Sequence, residues 1–291
     1  MKKLFTTLSI ALAVTLTTTA QTGYRKAYTL FDSQGKEIGY ETLIDSISKA
    51  DVILIGEIHN CAITHWLELE ITRSLYNLYG DSLMMGAEMF ESDNQMIMDE
   101  YMHRIISYER FEEEARLWPN YSTDYYPFVY FAKEHEIPFI ATNVPRRYAN
   151  VVKEKGLEFL DSLSDEAKHF LPPLPIKFEF KHEQKEMFDM MHAIGGTKHN
   201  QKYLSQAQAI KDATMGWFIA KNIRHKFLHF NGNYHSDRKG GIIPYLMEYR
   251  PGTTIKTICS VRQENINHLD EDNIERADFY ICVPEDMTTT Y

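Results

Sequence analysis

Four short apolar runs recur along the chain, each followed by a turn and then by sequence of helical spacing. They are Asp51–Ile55, Leu83–Ala87, Ile137–Thr142 and Lys226–Phe230. A strand buried on both faces reads as a continuous apolar run rather than as an alternating one. Strands that alternate with helices build a parallel sheet covered on both sides. Two further runs, Thr253–Val261 and Phe279–Val283, close the sheet. The expected fold class is α/β: a mostly parallel central sheet flanked by helices.

The helices follow from the same pattern. Cys61–Leu78 spaces Trp66, Leu69, Ile71 and Leu75 as a helix does. Ser92 is placed to cap the next helix, which carries Met96, Met98 and Met102. Phe111–Trp118 and Tyr125–Glu136 read as two more, and Pro145 opens another at a position where proline is tolerated. Pro172-Pro173-Leu174-Pro175 breaks the chain before a helical insertion at about Glu179–Ala193, ended by Gly195-Gly196. Gln201–Arg224 is a long amphipathic helix, and Gly240–Tyr249 is the last.

The first twenty residues read as a signal peptide. Lys2 and Lys3 precede an apolar stretch from Leu4 to Leu16, and Thr18-Thr19-Ala20 supplies small residues for cleavage. That stretch falls short of the ~20 residues that span a bilayer, and no later segment resembles a membrane span. No cysteine stands near the cleavage point to carry a lipid, because the first is Cys61. The expectation is an exported, periplasmic protein with one domain over residues 24–291. A formal net charge of −10 argues against a nucleic-acid surface, which needs clustered Lys and Arg. Three cysteines cannot build a disulfide scaffold; Cys259 and Cys282 lie in strand-like runs and read as buried, inert thiols.

Ligands of open parallel sheets bind beyond the carboxyl ends of the strands. After the first strand comes Gly56-Glu57-Ile58-His59-Asn60, and Glu88 stands in the second. Asn143, Arg146 and Arg147 follow the third. Asn231-Gly232-Asn233-Tyr234-His235 follows the fourth. Two Gly-x-x-His motifs, each after an apolar strand, with a carboxylate from a neighbouring strand, form a candidate site of His59, Glu88 and His235. Such a set serves equally as ligands for a divalent metal or as a general acid/base pair. Glu57 and Asn233 are expected at its edge. Arg146 or Arg147 either pairs with an anionic ligand group or is a solvated helix start. Gln208 and Asp212, four apart on the long helix, read as a surface pair. There is no Gly-x-Ser-x-Gly elbow and no phosphate-binding Gly-x-x-x-x-Gly-Lys loop.

Trp118 to Tyr130 is dense in aromatic residues. A tyrosine phenolate can ligate ferric haem iron, while ordinary aromatic packing accounts equally well for any one of these rings.

Taken in order, Gly56-Glu57-Ile58-His59-Asn60, Gly86-Ala87-Glu88-Met89-Phe90-Glu91 with Gln95, Thr142-Asn143-Val144-Pro145-Arg146 and Gly232-Asn233-Tyr234-His235 resemble the ChaN-like haem-binding uptake proteins of the Tiki superfamily. The likeness runs from about Tyr40 to Val283. It implies an α/β domain, a role in haem and iron acquisition, and a tyrosine-ligated haem shared at a homodimer interface. Tyr126, before Pro127, is the best match to the haem tyrosine. Cofactor-side positions implied with it are Arg146, Asn143, Glu57 and Asn233. The superfamily also contains metal-dependent peptidases and erythromycin-esterase-like hydrolases, whose metal or acid/base positions His59, Glu88 and His235 would match. The chain departs from the many lipid-anchored family members in lacking their cysteine.

Overall fold

The structure is a computed structural model and describes residues 25–178 and 201–291. The expected signal peptide and the helix expected at Glu179–Ala193 both lie outside the described residues. One eight-stranded sheet organises the molecule, in the order β2-β1-β8-β7-β3-β6-β4-β5. Its strands are β1 (Thr29–Asp32), β2 (Glu37–Ile38), β3 (Val52–Glu57), β4 (Leu83–Glu91), β5 (Phe139–Asn143), β6 (Lys226–Gly232), β7 (Ile255–Gln263) and β8 (Phe279–Pro284). The six strands from β8 to β5 run parallel. Only β1 and β2 are antiparallel additions at one edge, and the sequence reading did not anticipate them. β2 has two residues, too short to show a period.

The helices are α1 (Tyr40–Ile47), α2 (Ala62–Tyr79), α3 (Gln95–Met102), α4 (Tyr108–Glu114), α5 (Tyr126–Glu134), α6 (Arg146–Lys155), α7 (Asp165–Lys168), α8 (Gln201–Asn222) and α9 (Ile242–Tyr249). No helix among the described residues is long and apolar enough to cross a membrane. Alternate residues of β3 face opposite layers, as a strand requires. Ile53 and Ile55 pack with Leu67, Ile71 and Leu75 of α2 and Phe128 of α5. Val52 and Leu54 pack with Met215 and Ile219 of α8 and Ile242 and Leu246 of α9. Phe128 lies nearly parallel to Phe230 of β6, with ring centres 4.4 Å apart. Cys259 and Cys282 are buried and free, and burial pushes both thiols up to about 12.

Local details differ from the pattern reading. Trp66 is 47% exposed; the buried stripe of α2 runs instead through Thr64, Glu68, Ile71 and Leu75 with His65, Leu67 and Thr72. Ser92 does not cap α3: a short turn at Ser92–Asn94 intervenes, and its hydroxyl donates to the Phe170 carbonyl. α4 begins earlier than expected, because Ser107 accepts from the Arg110 N–H and caps it. Ahead of α5, Tyr121–Tyr125 forms a wide helical turn that buries Tyr121, Asp124 and Tyr125.

Candidate functional site

The chain runs from β3 outward to β4 and β5, and β6 then returns to fill the place between β3 and β4. Beyond the end of β3 lies His59. Glu88 lies inside β4, which continues to Glu91. The short turn Asn233–His235 after β6 carries His235. His235 Nε2 stands 3.1 Å from Glu88 Oε1, and the Gly232 N–H donates to Glu88 Oε2 at 2.8 Å. A methyl group on Gly232 would sit 2.7 Å from His59 Nε2 and 3.5 Å from Glu88 Oε2. His59, Glu88 and His235 therefore meet around Gly232, where the missing Cβ leaves room for the His59 ring.

Both nitrogens of His235 are engaged, since Nδ1 lies 2.6 Å from Asp212 Oδ1. Burial opposes a charge on this ring. The attraction of Glu88 and Asp212 outweighs it and pushes the pKa up to about 10, so His235 is an imidazolium that donates to both carboxylates. Burial works to raise the Glu88 carboxyl, but His235, Lys211 and His59 hold it well below the usual carboxylate range. For Asp212 burial prevails over the pull of His235 and the carboxyl is raised. An imidazolium has no lone pair for a cation, so a metal at His59, Glu88 and His235 would first have to displace the proton shared with a carboxylate. His59 differs. Its Nδ1 lies 2.7 Å from Glu57 Oε1, its side chain is 35% exposed, and Trp118 packs against it edge to face at 4.9 Å. Burial again opposes its charge, while Glu57 and then Glu88 raise its pKa.

These shifts set a direction for stability against pH. His235 and His65 are both pushed up to about 10 from an ordinary 6.5. Between those values the folded chain holds more protons than the unfolded one, so the stabilisation is complete below pH 6.5 and is lost as pH rises toward 10. Urea unfolding midpoints should fall steadily from pH 6.5 to pH 9.5; midpoints that rise over this range would contradict the assignment of charge.

Asp212 is the residue of this rim that pattern reading misplaced. It is buried and not part of a surface pair, because α8 turns that face toward His235. A second polar group went unnoticed beneath His59. Tyr125 donates to Glu57 Oε1 at 2.8 Å. His65 Nδ1 lies 3.0 Å from Glu68 Oε2, and its Nε2 lies 3.1 Å from the His59 carbonyl oxygen. Asn120 donates to the same carbonyl at 2.9 Å and to Asp124. The signal was available: His65 and Glu68 are three apart on the stripe that also carries Leu67, Ile71 and Leu75. Among the described residues, Glu57, His65 and Glu68 are the group whose metal-ligating atoms all lie within 4.8 Å of one another.

The remaining expected positions serve other contacts. Asn143 donates to the Glu88 carbonyl and accepts from the Val144 N–H, tying β5 to β4. Asn233 clasps the backbone of Ser260 in β7, donating at 2.7 Å and accepting at 3.2 Å. Arg146 is exposed at the start of α6, whereas Arg147 pairs with Asp93. Tyr126 is half-buried among other phenols, with ring centres 5.0 Å from Tyr108, 5.5 Å from Tyr130 and 6.2 Å from Tyr121.

In sequence, residues 43–246 match the family described as haem-binding uptake, Tiki superfamily, ChaN. The chain belongs to this family. A solved structure of ChaN from Campylobacter jejuni, described as showing cofacial haem binding, aligns with a TM-score of 0.67 at 19% identity, over 87% of this chain and 96% of that one. A succinoglycan biosynthesis protein aligns at 0.50 with 10% identity, over 84% and 90%. An erythromycin esterase, EreC, aligns at 0.46 with 10% identity, over 90% and 83%. The first two likenesses show the fold. No curated protein matches the chain in sequence.

Membership of the ChaN family raises the question of whether the residues present suit a haem. Tyr126 has a half-buried side chain. Tyr130 beside it is 44% exposed, and Met96 and Ile105, on and just after α3, are 71% and 72% exposed. A tyrosine beside the exposed ring of Tyr130 suits a flat apolar ligand with a ferric centre.

Proposed function

We propose that this chain is an exported, periplasmic haem-binding protein of haem and iron acquisition, with Tyr126 as the iron ligand. Its membership of the haem-binding uptake family carries the reading. The half-buried ring of Tyr126, beside the exposed Tyr130, supports it at the residue level. Haem is the cargo. Tyr126 would hold its iron, the exposed ring of Tyr130 would cover part of one face, and the exposed Arg146 guanidinium is available for a propionate. A cofacial pair, as described for ChaN of Campylobacter jejuni, requires a second copy of the chain, so the proposal includes a homodimer formed around haem.

The test is a hemin titration followed by absorption. Wild-type protein should bind hemin saturably with a high-spin ferric spectrum, and sedimentation should show dimers appearing with hemin. Tyr126→Phe keeps the ring's packing and should lose at least about tenfold in affinity, the equivalent of 1.4 kcal/mol. Saturable binding unchanged in Tyr126→Phe would transfer the ligand role elsewhere; no saturable binding by the wild type would end the haem reading. The buried Glu88–His235–Asp212 chain beside a partly exposed His59 favours a second reading, a hydrolase using these groups as acid and base. It would be distinguished by turnover of ester or peptide substrates that His59→Ala removes and Tyr126→Phe leaves intact.

A further inference from the structure

The group beneath His59 is given no part in the haem proposal above, and His59 itself lies outside it. Three carboxylates and one imidazole converge there. Glu57, Glu68 and Asp124 are 2%, 0% and 2% exposed and His65 is 5% exposed. So many buried acids demand compensation. Part of it is visible. Glu57 Oε1 receives the Tyr125 hydroxyl and faces His59 Nδ1, and Asp124 Oδ2 receives Asn120 and Thr290. Two oxygens are left over: Glu57 Oε2 and Glu68 Oε1 are buried and reach no hydrogen-bond donor.

The two edges of the His65 ring decide what lies between them. Its Nε2 faces the His59 carbonyl oxygen at 3.1 Å, and a carbonyl can only accept. Nε2 therefore carries a proton, and Asp124 Oδ2 at 3.5 Å holds the same edge of the ring. Nδ1 points the other way, 3.0 Å from Glu68 Oε2 and 3.8 Å from Glu57 Oε2. This is how proteins hold a ligating histidine: the far nitrogen donates to a backbone carbonyl or carboxylate, which fixes the ring and raises its basicity.

We propose that Glu57, His65 and Glu68 form a binding site for one divalent cation, ligated by Glu57 Oε2, His65 Nδ1 and a Glu68 carboxylate oxygen. Two carboxylates and one imidazole suit a first-row ion such as Mn2+, Fe2+ or Zn2+ rather than a soft one. The cation would take the place of the Nδ1 proton and neutralise the two leftover oxygens. Because Glu57 also holds His59 Nδ1, a cation here would fix the orientation of His59 from below without touching it. The site joins the end of β3 to the first turns of α2.

The competing arrangement is a proton held in the cation's place. Burial and then the charge of Glu57 raise the Glu68 carboxyl well above its ordinary value, so a protonated Glu68 facing Glu57 is the alternative to be excluded. The full chain, stripped with chelator, should be titrated with Mn2+ alone and with Zn2+ alone by calorimetry, and the Mn2+ form examined by pulsed electron paramagnetic resonance. The expected result is one equivalent bound per chain, with coupling to one histidine nitrogen. Glu68→Gln preserves shape and should weaken binding by at least about 10–100-fold, as loss of even an outer partner does. Tyr126→Phe and His235→Gln should leave it unchanged, which separates this site from haem binding and from the rim. Absence of stoichiometric cation binding by the wild type would overturn the proposal in favour of the shared proton. Binding lost in His235→Gln but kept in Glu68→Gln would overturn it in favour of the rim. Should Glu68→Gln fail to fold, the nitrogen coupling decides the question when tested on His65→Gln, which must lose the coupling.

Discussion

Replacing His235 with alanine should lower stability by about 3–5 kcal/mol at pH 7.5, because removing one member of a buried ionic chain strands the others. Glu88 and Asp212 would remain, 3% and 5% exposed, with the imidazolium between them gone. For a chain of this size that corresponds to a fall in Tm of about 10 °C. The loss should shrink on acidification. Two stranded carboxylates have raised pKa values in the folded state, so the folded variant binds more protons than the unfolded one and regains stability as pH falls. Urea unfolding at pH 7.5 and pH 5 checks both statements. A loss below about 1 kcal/mol, the median for an exposed pair, would mean that the chain of charges is not holding the end of β6 in place.

Gly241→Ala should also be severe, by about 2–5 kcal/mol, combining backbone strain with a steric overlap that cannot relax locally. Gly241 precedes α9 with φ +55° and ψ −114°, a combination that side chains do not tolerate. A Cβ there would fall on the carbonyl group of His235, which is backbone and cannot swing aside. The turn from His235 to Gly241 would have to open, carrying His235 away from Glu88. Thermal unfolding of the purified variant measures the loss. A substitution that leaves Tm within about 2 °C of wild type, well under the shift for 1 kcal/mol in a smaller domain, would show that the turn adapts.

The parallel strands were legible because burial on both faces makes their sequences mostly apolar, with few polar residues such as His229 and Glu88 inside them. Val52–Glu57 and Lys226–Gly232 are buried at every position, and their ends therefore stood out, with His59 and His235 just beyond. What patterns could not supply was the partner of each group. Asp212 looked like half of a solvated pair on a helix, since Gln208 and Asp212 are four apart. Only the packing of α8 on β5 and α6 turns Asp212 inward. His65 and Glu68 were overlooked for the opposite reason. They occupy an apolar stripe, where a polar residue reads as an interruption rather than as a site. Ser92 failed as a cap because the turn Ser92–Asn94 delays α3 to Gln95, and its hydroxyl donates instead to the Phe170 carbonyl, a partner so distant in sequence that no local rule describes it. Tyr126 was singled out from a row of phenols by resemblance; the structure adds that it is half-buried while Tyr125, next to it, is fully buried and committed to Glu57.

The strand order has a consequence for biosynthesis. Both neighbours of β3, namely β6 and β7, are encoded far downstream. At ordinary elongation rates of about 5–20 residues per second, the roughly 170 residues between β3 and β6 take about 10–30 s to emerge. Over that interval β3 has neither of its hydrogen-bonding partners, and β4 is paired on one side only. A strand as apolar as Val-Ile-Leu-Ile, left with two open edges, recruits any other open edge it meets. The nascent chain thus has a window of vulnerability to self-association that closes only when β6 and then β7 take their places beside β3, and the docking of β6 assembles the rim around Gly232.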